Sequence, residues 1–333
     1  MVLKRICHLA VAATKKDQST MLLVNQSAFE SWLQKANVNS GLRMQQLANP
    51  ESLLGANQVS SLGEWFERLK SQAEGGEFQR SGSTAVINVQ GALEYHYSLW
   101  SWCYDSDCYK GIAAKVRAAA ADEDVERIVL NIHSPGGVHH GCPECAQAIY
   151  DARASKEVIA VVDFEAASAG YYIASQATRI IGLKSGWVGS IGTQILLYSK
   201  KKMYDEEGID IEVIRAAVSP NKNLGISYEP ISDAARAERQ GWVDTCASDF
   251  VAAVAKGRGI EVDAVKENFG QGKMFFMPEA KRLGMVDGFG NLESVLAEKR
   301  KTTSSTSKAR SQQNQQTQIV DRSVDEAVDR LYL

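Results

Sequence analysis

The sequence predicts an α/β protein in which strands and helices alternate around a largely parallel sheet. Three observations predict it. From Ser83 onward, short Val/Ile-rich runs alternate with longer segments of helical periodicity. Those runs are nearly continuous in apolar residues, as strands buried on both faces must be. Small, glycine-containing breaks follow several runs, at the strand ends where open α/β sheets hold their active sites.

Residues 1–83 are expected to form a helical leader and linker. Phe29, Trp32, Leu33 and Ala36 recur at helical spacing, as do Leu62, Trp65, Phe66 and Leu69. Gly75, Gly76 and Gly82 then mark a linker. In the main domain, residues 84–299, strands are expected at Ala85–Val89, Arg127–Ile132, Glu157–Val162 and Arg179–Ile181. Helices are expected at Tyr109–Ala121, Gly141–Ala154 and Ser168–Ala177. Alternation of polar and apolar residues adds a strand at Asp210–Arg215. A long amphipathic helix follows over Ile231–Lys256, and 261–299 adds helical segments with turns at Gly284 and Gly288. Residues 300–333 read as a flexible Ser/Thr/Gln-rich tail ending in a short amphipathic helix carrying Val320, Val324, Val328 and Leu331.

Composition narrows the function classes. A chain of 333 residues, 44% hydrophobic and 23% charged, is ordinary globular material. A net charge of −3 with no basic stripe argues against nucleic acid as a partner. No run of eighteen apolar residues is present, so no membrane anchor is expected. Six cysteines without dense spacing suit a reducing compartment. Cys142-Pro143-Glu144-Cys145 beside His139 and His140 resembles metal-ligand spacing, but burial of both thiols on one helix face is the better account. No metal and no cofactor are expected. The aromatic stretch Glu94–Tyr109 suits either core packing or an interface.

Three segments bear chemistry. Ser134-Pro135-Gly136-Gly137 closes an apolar strand, and its glycines let backbone amides face a ligand, so the Gly137 N–H is a candidate oxyanion donor. Ala166-Ala167-Ser168-Ala169-Gly170 follows another strand and opens a helix. Small neighbours leave room for a substrate carbonyl at Ser168, with the Ala169 N–H as second donor. On these residues alone, Ser168 as a helix cap is the stronger account. Gly189-Ser190-Ile191-Gly192 reads as a tight turn.

Taken together and in this order, the SPGG turn, the Ser-x-Gly-Tyr-Tyr segment, the GSIG turn and the late Glu279-Ala280 … Gly284-Met285-Val286-Asp287 pattern resemble the S49 peptidase family over about Ile87–Leu292. That family includes signal peptide peptidase A and phage head maturation proteases; Leu93–Gly137 is most similar to the phage capsid protein C type. The resemblance implies a ClpP/crotonase-like fold of repeated ββα/βα units, a serine nucleophile at Ser168 and a lysine base. A base is required because a serine hydroxyl is scarcely ionised at neutral pH. His8, His96, His133, His139 and His140 all precede Ser168. The family lysine lies in a loop before a long helix; here that loop is Ala216–Tyr228, and its lysine is Lys222, with Leu224 and Ile226 expected to bury it. The loop itself departs from the family, since Ala217–Asn223 replaces a smaller motif. Lys200, Lys201 and Lys202 are rivals that read as a solvated face.

The implied function is a serine endopeptidase of phage procapsid maturation, acting on scaffold, capsid or portal proteins as a homo-oligomer in the host cytoplasm or inside the procapsid. A signal-peptide-degrading enzyme and a proteolytically inactive assembly protein are the alternatives.

Overall fold

In the computed structural model the described residues are 22–24 and 66–298. The expected leader helix at Phe29–Ala36 and the tail beyond 298 lie outside them. Nine strands form one sheet: β1 Leu22–Val24, β2 Gln79–Ser81, β3 Thr84–Leu93, β4 Arg127–Val138, β5 Glu157–Ala167, β6 Arg179–Gly182, β7 Trp187–Gly189, β8 Met274–Phe276 and β9 Gly288–Phe289. Strands β3, β4, β5, β6 and β9 are parallel neighbours in that order. β7 adds to β5 beyond β6, while β1, β2 and β8 pair antiparallel to β4, β3 and β7. Among the described residues the helices are α1 (66–74), α2 Leu99–Cys103, α3 Tyr109–Ala121, α4 Cys142–Ala152, α5 Ala169–Ser175, α6 Lys201–Glu206, α7 Asp233–Arg258, α8 Val262–Asn268, α9 Met277–Arg282 and α10 Leu292–Ala297.

The parallel strands are buried on both faces, as their composition predicted. Ile128, Leu130 and Ile132 of β4, with Val158, Ala160 and Val162 of β5, face the main core. There they meet α3 through Tyr109, Ile112 and Val116, α4 through Cys145 and Ile149, and α5 and α7. The alternate residues Val129, Ile159 and Val161 pack with Val295 of α10 on the opposite face. Burying each such Ile, Leu or Val contributes about 1.5–3 kcal/mol. Cys142 and Cys145 are both buried in the main core, and burial pushes both thiols well above their ordinary range.

The folded body begins upstream of Ser83. Gly76 packs against Ala118, and Glu74 bonds to Lys110, so the segment after α1 is held to α3 and its flank.

Two strands run further than local sequence suggested. β4 continues through Ser134-Pro135-Gly136-Gly137, which is strand and not turn, because β3 pairs with it as far as Leu93↔Gly137. β5 continues to Ala167 because β7 supplies partners for its last three residues. The strand expected at Asp210–Arg215 is absent. Its alternation is real, but no edge is there to pair with, and Ile214 stands 87% exposed. The long helix is present as α7, capped by the Ser232 hydroxyl accepting from Ala235 N–H and closed by Gly259 in the left-handed region.

Candidate active site

The end of β4 is pinned from three directions. The Tyr109 hydroxyl donates to the Val138 carbonyl at 2.8 Å. The Ser134 hydroxyl donates to the Gly91 carbonyl at 2.7 Å and accepts from the Gly136 N–H at 3.1 Å. At Gly137 a Cβ would lie 2.1 Å from the Leu93 carbonyl oxygen, so only glycine lets β3 and β4 approach this closely.

Ser168 sits where β5 ends and α5 begins. Its backbone is at φ 51°, ψ −121°, a conformation that costs a non-glycine residue on the order of 1–3 kcal/mol. The strain is held in place from outside: Ser168 N–H donates to the Gly189 carbonyl at 2.8 Å, and Tyr172 N–H donates to the Ser168 carbonyl at 2.8 Å. The GSIG segment thus serves the serine directly, and it is itself fastened by Ser190 N–H to the Lys273 carbonyl. Helix α5 is anchored by Tyr172 stacking on Phe250 with ring centres 4.7 Å apart, and by the Tyr171 hydroxyl on the Met285 carbonyl. The late Gly284–Asp287 pattern therefore acts through Tyr171 and through Asp287, which accepts from Ile180 N–H and pairs with Arg258.

Ser168 does not cap its helix. No side-chain capping bond forms, the residue is 1% exposed, and its Oγ has no hydrogen-bond partner. A buried hydroxyl left unpaired is costly, which contrasts with Ser134, whose hydroxyl is committed to backbone. Ser134 lies within β4 and Ser168 just past the end of β5, and their hydroxyls differ in bonding.

The SPGG and Ser168 segments come together. Strand β5 pairs Ala166 with Ser134, and a Cβ on Gly170 would stand 3.0 Å from the Ser134 carbonyl oxygen. Gly137 and Ala169, the residues whose amides are oxyanion candidates, are both buried beside this junction. No hydrogen bond joins Lys222 to Ser168, whose Oγ has no partner. Lys222 is exposed, in a loop of successive turns closed by Lys222 N–H on the Ser219 carbonyl and Leu224 N–H on the Asn221 carbonyl. Leu224 and Ile226 do not bury it; with Leu196, Leu197 and Tyr228 they line a separate cavity of about 270 Å³. The loop is held by Arg215, which donates to the Lys222 and Asn223 carbonyls and pairs with Glu229. Sequence reasoning missed Gly91, Gly189 and Arg215 as supports of these segments. The available signal at Gly91 and Gly189 was glycine itself just after an apolar run; both adopt a positive φ.

No group of three or more metal-ligating side chains is present among the described residues, and no described helix is long and apolar enough to cross a membrane.

The model of Peptidase family S49 matches residues 151–306, which include Ser168 and Lys222. The Head-tail preconnector protein GP5 of Enterobacteria phage P21 is 33% identical over 181 residues, covering 54% of this chain and 36% of that protein. Capsid assembly protease C of Escherichia phage lambda is 27% identical over 214 residues, covering 64% of this chain and 48% of that protein. The chain thus spans between a third and a half of the length of these two relatives. Among solved structures, a point mutant of the 1510-N membrane-bound stomatin-specific protease matches with a TM-score of 0.42 and 15% identity, over 65% of this chain and 84% of that one. Through residues 151–306 this chain is a relative of the S49 peptidases, the family its motifs resemble.

Proposed function

We propose that this protein is a serine endopeptidase in which Ser168 is the nucleophile and Lys222 the general base. The observation that carries the reading is the Ser168 hydroxyl: buried, uncapped, unpaired and held on strained backbone at a strand-to-helix turn. Such strain persists where function requires it, and a sharp turn of this kind presents a nucleophile at the top of a sheet. In the proposed reaction the Lys222 amine takes the Ser168 proton as Oγ attacks the scissile carbonyl. The Gly137 and Ala169 amides stabilise the oxyanion. Lys222 then protonates the leaving amine, and water attacks the acyl-enzyme with Lys222 again as base. The exposed loop must bring Lys222 inward when substrate binds or subunits assemble, since catalytic hydrogen bonds commonly tighten only in the complex. Self-association is supported by the apolar side chains of the unpaired 209–218 segment, with Ile214 87% and Val218 94% exposed. Scaffold, capsid or portal segments as substrates, and a place in the host cytoplasm or procapsid, follow from the phage relatives by analogy.

A fluorophosphonate probe tests this directly. It is expected to label Ser168, and neither Ser168→Ala nor Lys222→Ala should be labelled or cleave peptide. Lys222→Arg should also fail, because arginine stays protonated. Cleavage near the wild-type rate by Lys222→Ala would sink the dyad. The second reading, an inactive assembly protein, is favoured by the exposure of Lys222. It is selected if the wild-type chain resists the probe while still assembling.

A further inference from the structure

We propose that Ser134 is a positioning residue for the oxyanion site: its hydroxyl sets the Gly136–Gly137 end of β4 against the first turn of α5, which Ser168 opens. This rests on the peptidase reading above.

The need for such a device follows from strand pairing. β3 and β4 run parallel in register up to Gln90↔His133, and pairing resumes at Ala92↔Gly136. Between those pairs β3 has one residue, Gly91, and β4 has two, Ser134 and Pro135. Such a bulge leaves a residue without a ladder partner, and proline has no N–H to give. The ladder is thus interrupted just before the two glycines. The Ser134 hydroxyl spans the gap. It donates to the Gly91 carbonyl of β3 at 2.7 Å and accepts from the Gly136 N–H of β4 at 3.1 Å. A single oxygen thereby joins the two strands and fixes the Gly136 amide, one peptide before the Gly137 amide. Gly91 is itself confined: it sits at φ 72°, and a Cβ there would stand 2.3 Å from the Ser106 Oγ.

The same residue touches the helix of the nucleophile. Ser134 is fully buried and pairs with Ala166, the last pairing of β4 with β5. On Gly170, in the first turn of α5, a Cβ would stand 3.0 Å from the Ser134 carbonyl oxygen, 3.2 Å from its Cβ and 3.5 Å from its Oγ. Ser134 therefore packs between the glycines of β4 and the turn that carries Ser168 and Ala169, the proposed nucleophile and second oxyanion amide. An oxyanion donor must be set in place before the reaction, and a misplacement of about 1 Å costs on the order of 100-fold in rate. Serine suits the position because one small side chain both donates and accepts. Alanine would fill nearly the same space and leave the Gly136 N–H and the Gly91 carbonyl without this link.

The test compares wild type, Ser134→Ala and Ser134→Cys in the full chain, with active sites counted by complete fluorophosphonate labelling of Ser168. Per labelled site, kcat of Ser134→Ala on a peptide substrate should fall about 100-fold with KM nearly unchanged, because an oxyanion donor acts in the transition state. Affinity for a peptide aldehyde, which forms a tetrahedral adduct, should fall by about the same factor. A thiol donates and accepts more weakly than a hydroxyl, so Ser134→Cys should lie between the other two. A merely structural role would lower the number of labelled sites and leave kcat per site as in wild type, and that result overturns the proposal. So does a rise in KM alone, or unfolding of both variants. If only Ser134→Ala fails to fold, Ser134→Cys decides in the same way: reduced kcat per site supports the proposal, and wild-type kcat per site overturns it. In a Ser168→Ala background, hydrogen exchange at the Gly136 amide should speed about ten-fold on Ser134→Ala, and unchanged exchange also overturns the proposal. Absence of labelling in wild type instead removes the peptidase reading, and the exchange measurement still decides whether the hydroxyl fixes the Gly136 amide.

Discussion

If the Ser168 hydroxyl is kept for chemistry, removing it should stabilise the protein. Its Oγ is buried with no partner, and a buried hydroxyl in that state costs about 1–3 kcal/mol. Ser168→Ala deletes the group and leaves the backbone as it was, so a gain of about 1–3 kcal/mol is expected. For a folded body of this size each kcal/mol moves Tm by about 2–4 °C. Ser168→Gly should match or exceed the gain, since φ 51° suits glycine and strains every other residue. Urea unfolding followed by circular dichroism gives the free energies, and calorimetry gives Tm. The two variants should be more stable than wild type and inert to the fluorophosphonate probe. An alanine variant destabilised by 1 kcal/mol or more would refute the reasoning, because it would mean that the hydroxyl makes a bond worth keeping. Ser134→Ala is the control: its hydroxyl bonds Gly91 and Gly136, so the same substitution should destabilise by about 1–2 kcal/mol.

Gly137→Ala would drive a Cβ to 2.1 Å from the Leu93 carbonyl oxygen, and the atoms nearest it are all Leu93 backbone, with no flexible side chain to yield. It should cost about 1–3 kcal/mol in urea unfolding and abolish cleavage by displacing an oxyanion donor. Asp287 is partly buried, which raises its pKa, but the Arg258 guanidinium and the Ile180 N–H hold the carboxyl below its usual range on balance. A depressed folded pKa contributes stability above the unfolded value of about 4 that is lost as pH falls through the folded value. Asp287→Asn should therefore cost about 1–2 kcal/mol at pH 7, allowing for solvent screening, and progressively less below pH 4 in a urea series. Cys142 and Cys145 are buried with thiols raised by desolvation, so a thiol reagent should modify them only on unfolding; rapid labelling of either in the native protein would contradict their core placement.

The strand-helix alternation was legible because each element carries its own periodicity. Tyr109–Ala121 was bounded correctly from sequence because its buried residues Tyr109, Ile112, Val116 and Ala119 recur at helical spacing. The runs at Arg127 and Glu157 were recognisable because burial on both faces leaves an unbroken apolar signature. Ser168 could be picked out as a candidate because small residues between a strand and a helix are a local signal.

What tertiary structure alone decided is where pairing partners and side-chain bonds come from. β4 and β5 outrun their apolar cores because β3 and β7 pair with their ends, whereas Asp210–Arg215, whose polar and apolar residues alternate, pairs with no strand and stays irregular. Ser134 and Ser168 occupy the same kind of position in the sequence. Gly91, distant in the chain, accepts the bond from one hydroxyl, while Gly189 grips only the backbone of the other and leaves its Oγ free. The meeting of Leu22–Val24 with the glycines of β4 spans more than a hundred residues and carries no local signature. Local periodicity sets which elements form; long-range pairing decides which edges are filled and which hydroxyl is left for chemistry.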